Sequence, residues 1–118
     1  MVIKVERMSQ IENIGVERAM VLLGNGALLL DVREDDEWDA GHSPVARHIA
    51  LSALPDLIDD LPRDRVIICV CRSGARSARA GHFLLESGFD AVNLEGGMVA
   101  WHATGAEMVS DGGGPTVA

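Results

Sequence analysis

The run Val66-Ile67-Ile68-Cys69-Val70 is the stretch that most restricts how this chain can fold. Five consecutive apolar residues are too few for a buried helix. They are also too uniform for a strand with one wet face, so they predict a strand covered on both sides. Ala27 to Val32 has the same character, and Ala91 to Leu94 reads as a third strand. Shorter strands are expected at Ile3 to Met8 and Arg47 to Leu51. Helical spacing appears between them. Val16, Ala19, Met20 and Leu23 mark a helix over Ile14 to Leu23, stopped by Gly24-Asn25-Gly26. Asp35 to Ala40 predicts one or two turns with acidic residues early, where the helix dipole favours them, and Gly41 to Pro44 a loop. Leu54 to Leu61 reads as a short helix with Ser52 as N-cap and Pro62 beyond its end. Ser77 to Ser87 is a helix closed by Gly88, and Gly96-Gly97 leads into a last one, Met98 to Ala103. Strands alternating with helices predict an α/β fold with a mainly parallel sheet covered on both faces.

A chain of 118 residues fits one domain, with a core large enough to stand without staples. Residues 1–109 are assigned to that domain. Ser110 to Ala118, with Asp111-Gly112-Gly113-Gly114-Pro115, has too little apolar surface to offset its ordering entropy and is expected to be a flexible tail. The net charge of -8 disfavours binding to nucleic acid, which draws on clustered positive charge, and adhesion to anionic membranes. No apolar run reaches the roughly 18 residues that span a bilayer. Met1 to Gln10 has no signal-peptide core, so the cytoplasm is the expected compartment. Two cysteines, Cys69 and Cys71, exclude a disulfide framework, and His42, His48, His82 and His102 are too scattered for a zinc site. Neither a metal nor an organic cofactor is implied, and Gly96-Gly97 is not a nucleotide-binding loop. What remains is one or two reduced thiols.

Cys71 is placed to react. It follows the most apolar strand and precedes Arg72-Ser73-Gly74-Ala75-Arg76-Ser77, where a helix begins. In open α/β sheets ligands bind beyond the carboxyl ends of the strands. Free N–H groups at the helix start, the helix dipole, Arg72 and Arg76 all favour a thiolate there. Gly74 lets the backbone curl so that its N–H groups form a nest for an anion. Cys69, inside the strand, reads as a small core residue.

The segment Cys71-Arg72-Ser73-Gly74-Ala75-Arg76-Ser77 resembles the active-site loop of the rhodanese family of sulfurtransferases. Three further stretches resemble the family's motifs in the family's order: Leu30-Asp31-Val32-Arg33, Glu37-Trp38-Asp39-Ala40-Gly41-His42-Ser43-Pro44 and Leu94-Glu95-Gly96-Gly97-Met98-Val99-Ala100-Trp101. The resemblance covers residues 3–103. It implies a three-layer α/β/α domain with about five strands. It also implies a ping-pong transfer, in which the Cys71 thiolate takes sulfur from a donor such as thiosulfate and passes it from a persulfide to a thiol or cyanide. Arg72 would draw in the anionic donor, and Arg76 would brace the loop or bind the donor too. Asp31 would partner a loop arginine, although an ion pair of Asp31 with Arg33 that fixes the strand end is the simpler expectation. His42 is expected to hydrogen-bond the loop backbone, and Trp38 and Trp101 to pack in the core.

Two alternatives share this framework. A persulfide relay would take its sulfur from a partner protein, and a non-catalytic interaction domain would keep only the fold. Phosphatase or arsenate-reductase chemistry ranks behind sulfur transfer. The loop is C-x4-R, one residue shorter than the C-x5-R that surrounds a phosphate in related phosphatases. A phosphatase also needs a general acid. The run Glu34-Asp35-Asp36-Glu37 reads more simply as a solvated face. Two departures from the family pattern stand beside the site. Val45 replaces a usual glycine and Ser43 an apolar residue, so this loop is expected to be rebuilt or more open, with an effect on substrate preference.

Overall fold

The computed structural model describes residues 10–118, and its centre is the strand that the sequence marks most clearly. Five strands, β1 (Glu12–Ile14), β2 (Leu28–Asp31), β3 (Ala46–His48), β4 (Ile67–Val70) and β5 (Ala91–Leu94), form one sheet in the order β1-β5-β4-β2-β3. Every pairing is parallel. Parallel neighbours need crossovers, which α1 (Val16–Gly24), α2 (Asp35–Ala40), α3 (Leu54–Leu57) and α4 (Ala75–Glu86) supply; α5 (Gly97–Ala103) follows the last strand. The strand expected at Ile3 to Met8 lies outside the described residues.

Alternation along β4 divides the core in two. Ile67, Cys69 and Cys71 face Ala80 and Leu84 of α4 and Leu54 of α3. Ile68 and Val70 face Ala19 of α1 and Met98 and Trp101 of α5. All four residues of β4 are buried, as are those of β5. This is the three-layer α/β/α arrangement, and each buried Ile or Leu in it contributes about 1.5–3 kcal/mol.

Several boundaries differ from the sequence expectation. Helix α1 begins at Val16 because Glu12–Ile14 forms an edge strand with a single buried residue, too short for a periodicity to register. A 3-10 turn at Leu51–Ala53 precedes the helix expected over Leu54 to Leu61, which is itself two short pieces, α3 and a second 3-10 turn at Ile58–Asp60. Ser52 therefore lies inside the first turn and does not cap α3, whose N-cap is Ala53. Pro55 within α3's first turn cannot donate to a preceding carbonyl, which suits a helix start and not a helix interior. Helix α4 starts at Ala75, two residues before the expected position, because Gly74 turns the chain at φ 118.

The segment expected as a flexible tail runs back along α2. Val109, the last residue before it, exchanges two backbone hydrogen bonds with His42, and within the segment Thr116 N–H donates to Ala40 O at 2.9 Å. Val117 packs on the α1/α5 side of the core. Gly41 leaves the room, since a Cβ there would stand 2.3 Å from Thr116 O.

Candidate active site

Cys71 is the first residue past β4. Its carbonyl accepts from Met98 N–H at 2.8 Å, and that of Arg72 from Val99 N–H at 3.1 Å. The C=O and N–H of a planar peptide unit point opposite ways. Tying these two carbonyls to the start of α5 therefore turns the following N–H groups of the loop the other way. Gly97 makes the approach possible: at φ 57, a Cβ on it would lie 2.3 Å from Cys71 O and 2.5 Å from Arg72 O. Gly74, the left-handed N-cap of α4, donates its N–H to Cys71 Sγ at 3.1 Å. Its carbonyl accepts from Asn93 Nδ2 at 3.1 Å.

The two thiols are driven apart. Burial, followed by the neighbouring Cys71, pushes Cys69 up to about 12. Burial pushes Cys71 up as well. The Ser77 side chain and the N–H groups of Ser77, Gly74 and Ser73 outweigh it and hold this thiol below its ordinary value. Cys71 is only 1% exposed and so sits under its loop, whose Arg72 and Ser73 are exposed.

The arginines divide their roles. Arg76 makes a bidentate pair with Glu37 of α2, Nη1 to Oε1 at 2.7 Å and Nη2 to Oε2 at 2.8 Å. The Arg76 hydrogen bonds, opposed by partial burial and helped by the Glu34 N–H, hold Glu37 at about 2; the same pairing raises Arg76. The acidic run is thus not one solvated face. Glu34, Asp35 and Asp36 are exposed, while Glu37 at the third helical position turns inward. Arg72 is exposed and donates from Nε to the Ala118 carbonyl at 3.0 Å.

Asp31 and Arg33 are fully buried and pair with each other, Nη2 to Oδ2 at 2.8 Å and Nε to Oδ1 at 3.0 Å. Arg33 also donates to Gly41 O at 2.8 Å, which fastens the end of β2 to the end of α2. The partnership of Asp31 with a loop arginine is corrected here. Both Asp31 oxygens are taken by Arg33, two residues along, and Glu37 serves the loop. His42 hydrogen-bonds through Nδ1 to Trp38 O at 2.7 Å and stacks on the Trp38 ring at 3.6 Å, with His48 against the same ring at 4.7 Å. Trp38 is accordingly half-buried among histidines, whereas Trp101 is a core residue. Ser43 is buried and accepts from Val45 N–H at 3.3 Å. Val45 is exposed and keeps a negative φ, so the loop accommodates it without the glycine conformation.

Two residues without a local sequence signal, Asn93 and Asn13, complete the site around Ser77. Under the loop, Ser77 Oγ lies 3.2 Å from Cys71 Sγ and 2.6 Å from Asn93 Oδ1, and Asn93 Nδ2 reaches Asn13 Oδ1 at 2.9 Å. Among the described residues, no group of three His, Cys, Asp or Glu is arranged to hold a metal, and no helix is long and apolar enough to cross a membrane. What the arrangement can do is hold a sulfur-centred anion against N–H groups at the end of a parallel sheet.

Comparison with known proteins agrees with this geometry. A Bacillus subtilis protein described as "Putative sulfurtransferase YtwF" is 45% identical over 73 residues, covering 62% of this chain and 71% of that one. A sulfurtransferase of Allochromatium vinosum is 37% identical over 87 residues, 73% of this chain and 81% of that one. The crystal structure of a rhodanese-related protein from Thermoplasma volcanium superposes with a TM-score of 0.78 at 31% identity, covering 83% and 97%. Reduced CoADR-RHD of Bacillus anthracis matches at a TM-score of 0.73 and 28% identity; there the chain spans 16% of the longer protein. The family model for the rhodanese-like domain matches residues 16–104, most of the chain, and with a Cys71 loop seated where β4 meets α4 the chain belongs to the rhodanese-like family.

Proposed function

We propose that this chain is a sulfurtransferase and that Cys71 carries the sulfur. The observation behind this is the Gly74 N–H 3.1 Å from Cys71 Sγ, within a loop whose carbonyls are held elsewhere. The sulfurtransferase descriptions of two relatives support the same reading. The Cys71 thiolate attacks the outer sulfur of thiosulfate. A C–S–S⁻ persulfide forms, the S–S bond of the donor breaks, and sulfite leaves with the bonding electron pair. A second nucleophile, a thiol or cyanide, then attacks the outer sulfur and returns the thiolate. The persulfide anion is solvated by the N–H groups that held the thiolate. Arg72, exposed at the rim, attracts the anionic donor, and Arg76, locked to Glu37, braces the loop. Cys71 is 1% exposed, so the donor reaches its sulfur past the exposed Arg72 and Ser73. Neither nucleic acid nor membrane takes part, and a reducing cytoplasm keeps the thiol available.

Incubation with thiosulfate followed by intact-mass measurement tests this. The expected result is a gain of one sulfur by the wild type and none by Cys71→Ser. A gain only from a persulfide-bearing partner protein would assign the relay. No gain from any donor would reduce the chain to an interaction domain.

A further inference from the structure

The polar groups beneath the Cys71 loop can be satisfied in one way only. The Gly74 carbonyl can only accept, so the Asn93 atom 3.1 Å from it is the nitrogen. That nitrogen also reaches Asn13 Oδ1 at 2.9 Å. The Asn93 oxygen is therefore the atom 2.6 Å from Ser77 Oγ. Two oxygens at that distance share a proton, and an amide oxygen brings none. Ser77 must supply it, and a serine hydroxyl has one. Its other neighbours, Cys71 Sγ at 3.2 Å and Gly74 O at 3.3 Å, then face lone pairs. Ser77 is fully buried and Asn93 is 4% exposed, so water does not relieve the competition.

We propose that Asn93 is a positioning residue: it holds the single hydroxyl proton of Ser77, so that at rest Ser77 accepts from the Cys71 thiol and does not donate to the sulfur. This rests on the reading that Cys71 is the reactive thiol. When a base in solvent takes the thiol proton, or the sulfur carries a persulfide, the Ser77 hydroxyl rotates. Its bond to Asn93 Oδ1 breaks, one to the sulfur anion forms, and Asn93 Oδ1 is left buried without a donor. The loop N–H groups stabilise the anion in either state. The hydroxyl adds to them only after leaving Asn93, so Asn93 keeps the anion from being bound too tightly to react.

The groups that act on the sulfur from the packed elements are few. Cys69 lies on β4, Arg72 is exposed in the loop and donates to the Ala118 carbonyl, Arg76 on α4 has its Glu37 partner on α2, and α5 carries only the exposed His102. Strands β5 and β1 contribute the neutral Asn93 and Asn13.

The test is the pH midpoint of Cys71 alkylation by iodoacetamide in a Cys69→Ala background. Alkylation needs no sulfur donor, so it reports on Asn93 even if thiosulfate loads nothing. Ser77→Ala should raise the midpoint by less than about 0.3 unit, because the bond the hydroxyl gives the sulfur anion is offset by the one it gives up at Asn93 Oδ1. Asn93→Leu frees that proton and should lower the midpoint by about half a unit to one unit. The drop should vanish when both changes are combined. A midpoint unchanged by Asn93→Leu, or a drop that survives in the double variant, overturns the proposal. If Asn93→Leu does not fold, Ser77→Ala decides alone: a rise below about 0.3 unit supports the proposal, and a larger one overturns it.

Discussion

Cys69 and Cys71 stand two residues apart on the same face of the same polypeptide run, and they are chemically opposite. Cys69 is paired in register with Leu30 and Asn93 on either side, and its backbone groups belong to the sheet. Nothing turns an N–H toward its sulfur, so burial, followed by the neighbouring Cys71, pushes it up to about 12. Cys71 lies one step past the last sheet residue. There the backbone is free of the ladder, and its carbonyls go to α5 while its N–H groups gather round the sulfur. The same side chain at nearly the same depth becomes inert or ionisable according to where backbone amides point.

The largest effect should come from exchanging the two thiols' fates. Cys71→Ser should abolish sulfur loading and reduce thiocyanate formation by at least about 10³-fold, whereas Cys69→Ala should stay within about twofold. Comparable losses from both would mean that Cys69 acts as a second thiol and would end the contrast. Next in size is selective alkylation. At pH 7 on the order of one Cys69 thiol in 10⁵ is ionised. Peptide mapping after brief iodoacetamide treatment should therefore find label on Cys71, and on Cys69 only after denaturation.

This contrast also marks what the sequence could carry. Helix α2 and strand β5 lie where the sequence places them, Asp35–Ala40 and Ala91–Leu94, because acidic residues in a first turn and a short strand buried on both faces are local signals. The Cys71 loop was legible because nucleophile, glycine and helix start are contiguous. Glu37 was not, being 39 positions from Arg76, nor was Asn13, 80 positions from Asn93. Polar pairs across such distances follow no period, and one side chain does not reveal its partner. The broken helix after Leu51 failed for a different reason, since its apolar spacing continues while Pro55 interrupts the hydrogen bonding.

Two glycines extend the comparison to backbone packing. At the Cys71 end, Gly97→Ala puts a Cβ against the carbonyl oxygens of Cys71 and Arg72 at a positive φ. Backbone cannot yield, so a loss of about 3 kcal/mol in unfolding free energy is expected, together with a fall in transfer rate. At the Cys69 end, Gly81→Ala meets the tip of Ile11, a side chain that can move, and its Cβ would be 4.0 Å from Cys69 Sγ. The better helix propensity of alanine, about 1 kcal/mol, offsets much of that displacement, and transfer should be nearly unchanged. Urea unfolding of both variants ranks them; an equal cost would show that the α5 start is not what constrains the loop.

The smallest effect tests whether the brace of the Cys71 loop is electrostatic. Glu37 is held at about 2, below its ordinary 4.5, so its contribution is fully present above the unfolded value and is lost as pH falls from about 4.5 toward 2. Arg76 is a third exposed and Glu37 15%, so solvent screening reduces the pair to about 1 kcal/mol. Glu37→Gln should lower stability by that amount at pH 7 and by almost nothing at pH 2, bringing the two proteins together as acid protonates the wild-type carboxylate. Cys69 has no such brace, and its surroundings should be indifferent to the change. Cys71 should feel it through Arg76, which without its partner is free to leave the loop; a modest rise in the pH midpoint of Cys71 alkylation is the expected sign. If Glu37→Gln instead lowers stability equally at pH 2 and pH 7, the bidentate contact acts through shape and not charge, and the loop's hold on the sulfur depends on its backbone amides alone.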